Sequence, residues 1–147
     1  MDVIRPEPNI LLVEDNPVDV LLIKRALRNS GFKNPPVVLD DGEPALAFLS
    51  KQGEFASALL PDLLILDLNL RKVDGPEVLA FVRRTPELEC LRVIVLSSSP
   101  EEVMRASAAH ADCYIEKPTD VISFQNLGNR IRSFYLDTPA KAAEAGG

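Results

Sequence analysis

Pro61-Asp62-Leu63-Leu64-Ile65-Leu66-Asp67-Leu68-Asn69-Leu70 is the stretch on which the fold turns. Leu63 to Leu66 is an unbroken apolar run, set off by Pro61 before it and Gly75-Pro76 after it. A run this short, with no polar alternation, predicts a central strand buried on both faces, as in a parallel sheet covered by helices on each side. Asp67 stands at its C-terminal end, the end at which open parallel sheets bind ligands. Taken alone, an acid there only solvates a strand end. Its meaning depends on what the rest of the chain brings beside it.

Upstream, Ile10-Leu11-Leu12-Val13 reads as a first buried strand closed by Glu14-Asp15. Asn16-Pro17-Val18-Asp19 has the order of a helix start: N-cap, proline at the first helical position, acid at the third. Val18, Leu21, Leu22 and Ala26 share a helical face, and Gly31 closes the helix. Val37-Val38-Leu39 is a second strand, and Asp40-Asp41-Gly42 turns into a helix with Ala45, Phe48 and Leu49 inward. Gly53 to Leu60 connects it to the organising strand.

Downstream, Gly75-Pro76 opens a helix with Val78, Phe81 and Val82 as its apolar stripe, stopped by Thr85-Pro86. Leu91 to Leu96 is a fourth strand, ending in Ser97-Ser98-Ser99. Ser99-Pro100-Glu101-Glu102 has the form of a capping box and starts a fourth helix thin in large apolar groups. Cys113-Tyr114-Ile115 is a short fifth strand at a sheet edge, followed by Glu116-Lys117-Pro118-Thr119. A last helix carries Phe124, Leu127, Ile131 and Phe134 at helical spacing.

Five strands alternating with five helices, joined by connections long enough for right-handed crossovers, predict an α/β fold. The simplest form is a doubly wound, flavodoxin-like parallel sheet of order 2-1-3-4-5. Residues 8–137 form the expected domain and 138–147 a disordered tail. The chain of 147 residues is long enough for one well-buried core, with 46% hydrophobic and 26% charged residues. A net charge of -6 argues against nucleic acid and anionic membrane as partners. No apolar segment approaches the roughly 20 residues that span a bilayer, and the N-terminus has no signal-peptide pattern. Cys90 and Cys113 lack metal-ligand spacing and read as reduced thiols of a cytoplasmic protein. The lone His110 makes neither a metal site nor a triad by itself.

In the order 2-1-3-4-5, strands one and three are neighbours, so Glu14, Asp15 and Asp67 converge at one rim beside Ser97 and Lys117. Carboxylates held that close repel one another and call for a hard divalent cation among them. Mg²⁺ suits such a site, because it takes oxygen ligands and is commonly held by one or two carboxylates plus a phosphate. Asp15 and Asp67 are the expected direct ligands, Glu14 acts through water, and the Asn69 carbonyl supplies a further oxygen. Lys117 adds a mobile point charge and Ser97 a hydroxyl donor, which together would neutralise a phosphoryl group on Asp67. Each residue alone is a weak signal. Asp19 reads as a helix cap and Ser99 as capping. The bland reading fails to explain why Glu14-Asp15, Asp67, Ser97 and Lys117 each end a different strand.

At these residues the chain resembles the receiver domain of two-component response regulators, from about Ile10 to Leu136. Ile10 to Asn16 is similar to the family's acidic pocket, Asp67 to its phosphoacceptor, Ser97 to its hydroxyl position and Lys117-Pro118 to its lysine-proline. Tyr114 falls where the family has its switch aromatic. Asp67 to Leu70 and Asp112 to Pro118 look like the single-domain regulators that partner bacterial phytochrome kinases. Two departures stand out: Arg71 replaces a usual proline, and His110 a usual glycine. The resemblance implies a Mg²⁺-dependent phosphoprotein that takes its phosphoryl group from a sensor histidine kinase, phytochrome-type within the subgroup, and is not an enzyme beyond its own phosphorylation and dephosphorylation. It implies a cis Lys117-Pro118 bond aiming the lysine inward, and a switch through Ser97 and Tyr114 read out on the fourth helix, fifth strand and last helix. That face, ending in Phe134-Tyr135-Leu136, is the expected homodimer contact. His110 is expected to be strained at the end of the fourth helix.

Two rival chemistries fit less well. A hydrolase of the haloacid-dehalogenase type needs two aspartates one residue apart after the first strand, where this chain has Glu14-Asp15. An FMN-binding flavodoxin-like module needs a hydroxyl- and glycine-rich phosphate loop there, and two acids would repel the cofactor phosphate.

Overall fold

Residues 7–70, 75–98 and 111–137 are described by the computed structural model. Strands β1 (Ile10–Val13), β2 (Val37–Leu39), β3 (Leu63–Asp67), β4 (Arg92–Ser97) and β5 (Cys113–Glu116) form one parallel sheet. Its order is β2-β1-β3-β4-β5, as the sequence predicts. The register sets the geometry of the rim. Val13 pairs with Leu66, so Glu14 and Asp67 leave the sheet side by side. Asp67 pairs with Leu96 and Ser97 with Glu116, which puts Ser97 and Lys117 at the same edge.

Alternate strand residues face opposite cores, because successive side chains of a strand point to opposite sides. Leu11, Val13, Leu64, Leu66, Val93 and Val95 pack toward one layer of helices. Ile10, Leu12, Leu63, Ile65, Ile94 and Leu96 pack toward the other. Every residue of β1, β3 and β4 is buried, which is why these strands read as continuous apolar runs.

On one face lie helices α2 (Gly42–Leu49) and α3 (Gly75–Arg84). Ala45, Phe48 and Leu49 are buried as expected, and the Phe48 and Phe55 rings meet in an edge-type arrangement with their centres 5.3 Å apart. In α3 the buried stripe is Val78, Leu79 and Val82, with Phe81 only half-buried. A Cβ on Gly75 would sit 2.5 Å from Leu68 Cα and 2.6 Å from the Asp67 carbonyl oxygen. Only glycine lets α3 begin this close against the end of β3.

The other face carries α1 (Pro17–Asn29) and the last helix (Val121–Asp137). Asn16 caps α1, its Oδ1 accepting from the N–H groups of Val18 at 2.9 Å and Asp19 at 3.2 Å. The buried face of α1 is Ile23, Ala26 and Leu27, whereas Val18 and Leu21 are 63% and 67% exposed. The expected face is therefore rotated. The cause lies in the last helix, where Gly128 brings the two backbones together: a Cβ there would lie 2.2 Å from the Ala26 carbonyl oxygen. Phe124, Leu127, Ile131 and Tyr135 are buried in the last helix, while Phe134 is half-buried. No described helix is long and apolar enough to cross a membrane. The expected fourth helix, the strain at His110, the departure at Arg71 and the tail 138–147 lie outside the described residues.

Candidate functional site

Glu14 directly follows β1 and is 1% exposed, its N–H continuing the ladder to the Leu39 carbonyl at 3.0 Å. Its Oε2 accepts the N–H of Asn16 at 3.1 Å. Its Oε1 lies 2.8 Å from Lys117 Nζ, an ionic contact without hydrogen-bond alignment, and among the described residues no other group bonds that buried oxygen. Asp67 closes β3 at 3% exposure. Asp67 Oδ1 accepts the N–H of Asn69 at 3.0 Å, and Oδ2 accepts from Lys117 Nζ at 3.2 Å.

Lys117 follows β5, and its N–H donates to the Ser97 carbonyl at 2.7 Å, extending the β4–β5 pairing past the strand. From there the ammonium reaches the pocket directly. No described peptide bond is cis, so the bond expected to be cis at Lys117-Pro118 is trans, and the side chain arrives without that bend. Its Nζ also pairs with Asp19 Oδ2 at 2.8 Å. The sequence treated Asp19 as a cap only. Nothing in a single sequence signals this pairing, because it joins the first turn of α1 to the end of β5.

Among the described residues, the charges at this rim do not cancel. Burial, reinforced by the neighbouring Asp67 carboxylate, pushes Glu14 up to about 7, and the Lys117 and Asn16 contacts only partly oppose it. Burial pulls Lys117 down, but the carboxylates of Asp19, Glu14 and Asp67 outweigh it and hold the amine above the usual lysine range. Lys117 is therefore a permanent ammonium facing more than one negative charge.

Glu14, Asp15 and Asp67 each offer a carboxylate oxygen within 4.8 Å of the others. Hard oxygen donors gathered that closely, one of them buried without a directed hydrogen bond, fit a Mg²⁺ ion. An open cleft of about 330 Å³ gives access, lined by Asp15, Asn16, Asp67, Asn69, Leu70, Ser98 and Lys117. Ser97 is 1% exposed at the end of β4, and Ser98, next in the serine run, lines the cleft. Tyr114 sits on β5, half-buried against the core that holds α2 and α3. Its hydroxyl accepts the N–H of Ala111 at 3.1 Å.

Comparison with known proteins matches residues 10–129 to the response regulator receiver domain. The response regulator Rcp1 of Synechocystis is 38% identical over 90% of this chain and 92% of its own. The crystal structure of the phosphorylated cyanobacterial phytochrome response regulator RcpA superposes with a TM-score of 0.85 and 39% identity, over 92% of this chain and 98% of that one. The Mn²⁺-bound form of Rcp1 gives 0.82 and 37%, over 90% and 97%.

Proposed function

Since the chain belongs to the response regulator receiver domain family, whose members work with histidine kinases, we propose that Asp67 is its phosphoacceptor. The observation that carries this reading is the pairing of Asp67 Oδ2 with Lys117 Nζ at 3.2 Å, inside an acidic cluster at the end of a buried strand. A carboxylate oxygen of Asp67 attacks phosphorus as the bond to the donor breaks, giving an aspartyl phosphate. The Asn69 N–H on Oδ1 fixes the rotation of the carboxylate during that approach. Lys117 supplies positive charge to the transferring oxygens, and Ser97 supplies a hydroxyl at the adjacent strand end. Glu14, Asp15, Asp67 and the Asn69 carbonyl would hold Mg²⁺, which would neutralise charge on the phosphoryl oxygens. Rcp1 with Mn²⁺ and RcpA with its phosphoryl group, both similar over nine-tenths of this chain, support that assignment. Acetyl phosphate with Mg²⁺ should place one phosphoryl group per chain, mapped by peptide mass to Asp67. A modification mapped elsewhere overturns the reading.

The donor in this proposal is a phytochrome-type sensor histidine kinase, as the descriptions of RcpA and of other similar structures suggest. The receiver unit spans residues 8–137. Phosphorylation acts through Ser97 and Tyr114, with Tyr114 leaving the Ala111 amide as the rim rearranges. Homodimer contact through the last helix and β5 is part of the same reading. It is supported by a strand with β4 as its one described neighbour and by Leu136, which is 49% exposed. Sedimentation with and without beryllofluoride should show mass doubling in at least one state. A monomer in both states overturns the dimer and leaves Asp67 untouched.

A further inference from the structure

Asp19 is the third residue of α1, where an acid ordinarily serves the helix end. In a capping box the residue at that position accepts the N–H of the N-cap. Here the Asn16 N–H is already taken by Glu14 Oε2 at 3.1 Å. The N–H of Asp19 is itself satisfied by Asn16 Oδ1. The Asp19 side chain is left to turn toward the rim, where its Oδ2 lies 2.8 Å from Lys117 Nζ with its side chain 19% exposed. Asp19 is not part of the Glu14–Asp15–Asp67 cluster that can share a cation. Its described ion pair is with Lys117.

An ammonium has three protons to donate. Lys117 faces Glu14 and Asp19 at 2.8 Å each and Asp67 at 3.2 Å, so its two shorter contacts draw it away from the phosphoacceptor. We propose that Asp19 is a positioning residue that competes with the Asp67 phosphoryl group for Lys117, setting how readily the phosphorylated state forms and persists. A phosphoryl group brings roughly -1.5 to -2 charges to Asp67. Lys117 answers it only by loosening a close contact, and of its two shorter contacts the one to Asp19 is partly exposed, whereas the Glu14 side chain is fully buried. Carboxylate against ammonium in a half-buried setting is strong enough to matter and weak enough to exchange. Asp19 thus acts as a counterweight that holds the unmodified state. The inference rests on the reading of Asp67 and Lys117 above.

The test is the affinity of the full chain for beryllofluoride with saturating Mg²⁺, followed by NMR, in Asp19→Asn, Asp19→Glu and Asp40→Asn. Asp40 is exposed and shares a neighbouring cleft with Asp15, so its variant removes one rim charge without touching Lys117. Asp19→Asn should bind about fivefold more tightly, since an ion pair of this kind is worth on the order of 1 kcal/mol. Asp19→Glu, which keeps the charge, should return toward wild type, and Asp40→Asn should stay within about twofold. Should asparagine disturb folding, Asp19→Ser gives the same readout with a small polar residue in place. An Asp19→Asn affinity equal to wild type, or an equal gain in Asp40→Asn, overturns the counterweight. Failure of the wild-type protein to bind beryllofluoride at Asp67 overturns instead the assignment of the site.

Discussion

The two ends of the sheet are both charged, and they treat charge in opposite ways. At the N-terminal end Arg92 is 5% exposed, its guanidinium 5.7 Å from the Tyr135 ring centre and donating to the Tyr135 carbonyl at 3.3 Å. Arg132 lies 4.7 Å from the centre of Phe32 and pairs with Glu7 at 3.3 Å. Arg83 meets Asp112 at 2.9 Å, and Asp112 also takes the Val93 N–H at 2.8 Å. Each of these cations has a matching anion, ring or carbonyl, which makes that end structural. At the C-terminal end, among the described residues, one ammonium faces Glu14, Asp19 and Asp67, with Asp15 close by, and one buried oxygen lacks a directed partner. Uncompensated charge costs stability and is retained where a ligand completes it.

That contrast is breakable. Its largest consequence is chemical: Asp67→Asn should abolish Mg²⁺-dependent labelling by acetyl phosphate, while Arg92→Ala labels like wild type. Stoichiometric labelling of Asp67→Asn would show that the unbalanced end is not where the chemistry occurs. Next comes pH. Glu14 is held near 7 against an ordinary 4.5, so Mg²⁺ must displace a proton, and its affinity should rise about tenfold from pH 6 to pH 8. The sign reverses for the metal-free fold. The native state binds the Glu14 proton more tightly than the unfolded state, so this contribution is full below 4.5 and is lost as pH rises through about 7. Calorimetry with Mg²⁺, and urea unfolding in chelator across this range, check both halves. A flat Mg²⁺ affinity would place Glu14 outside the cation site.

At the other end the readout is stability. Arg92→Ala removes a buried guanidinium with its stem and should cost about 2 kcal/mol in urea unfolding with no change in labelling rate. Arg132→Ala gives up a partly exposed pair and a ring contact and should cost less than about 1 kcal/mol. A labelling defect in either variant would erase the distinction between the ends.

Apolar runs ended by polar residues are local facts. They were enough to place β1, β3 and β4, and their alternation with helices was enough for the order β2-β1-β3-β4-β5. Once strands one and three are neighbours, the meeting of Glu14, Asp15 and Asp67 follows from chain position alone. Which face of a helix is buried is not local. Val18 and Leu21 are as apolar as Ile23 and Leu27, and the choice between them was made by the near approach of Ala26 to Gly128 on a helix a hundred residues away. The pairing of Lys117 with Asp19, in a chain whose Lys117-Pro118 bond is trans, likewise joins the end of β5 to the first turn of α1 and exists only once sheet and helices are assembled. Hydrophobic pattern marks the strands that must be buried on both faces. Only the assembled layers determine which charges are left facing one another.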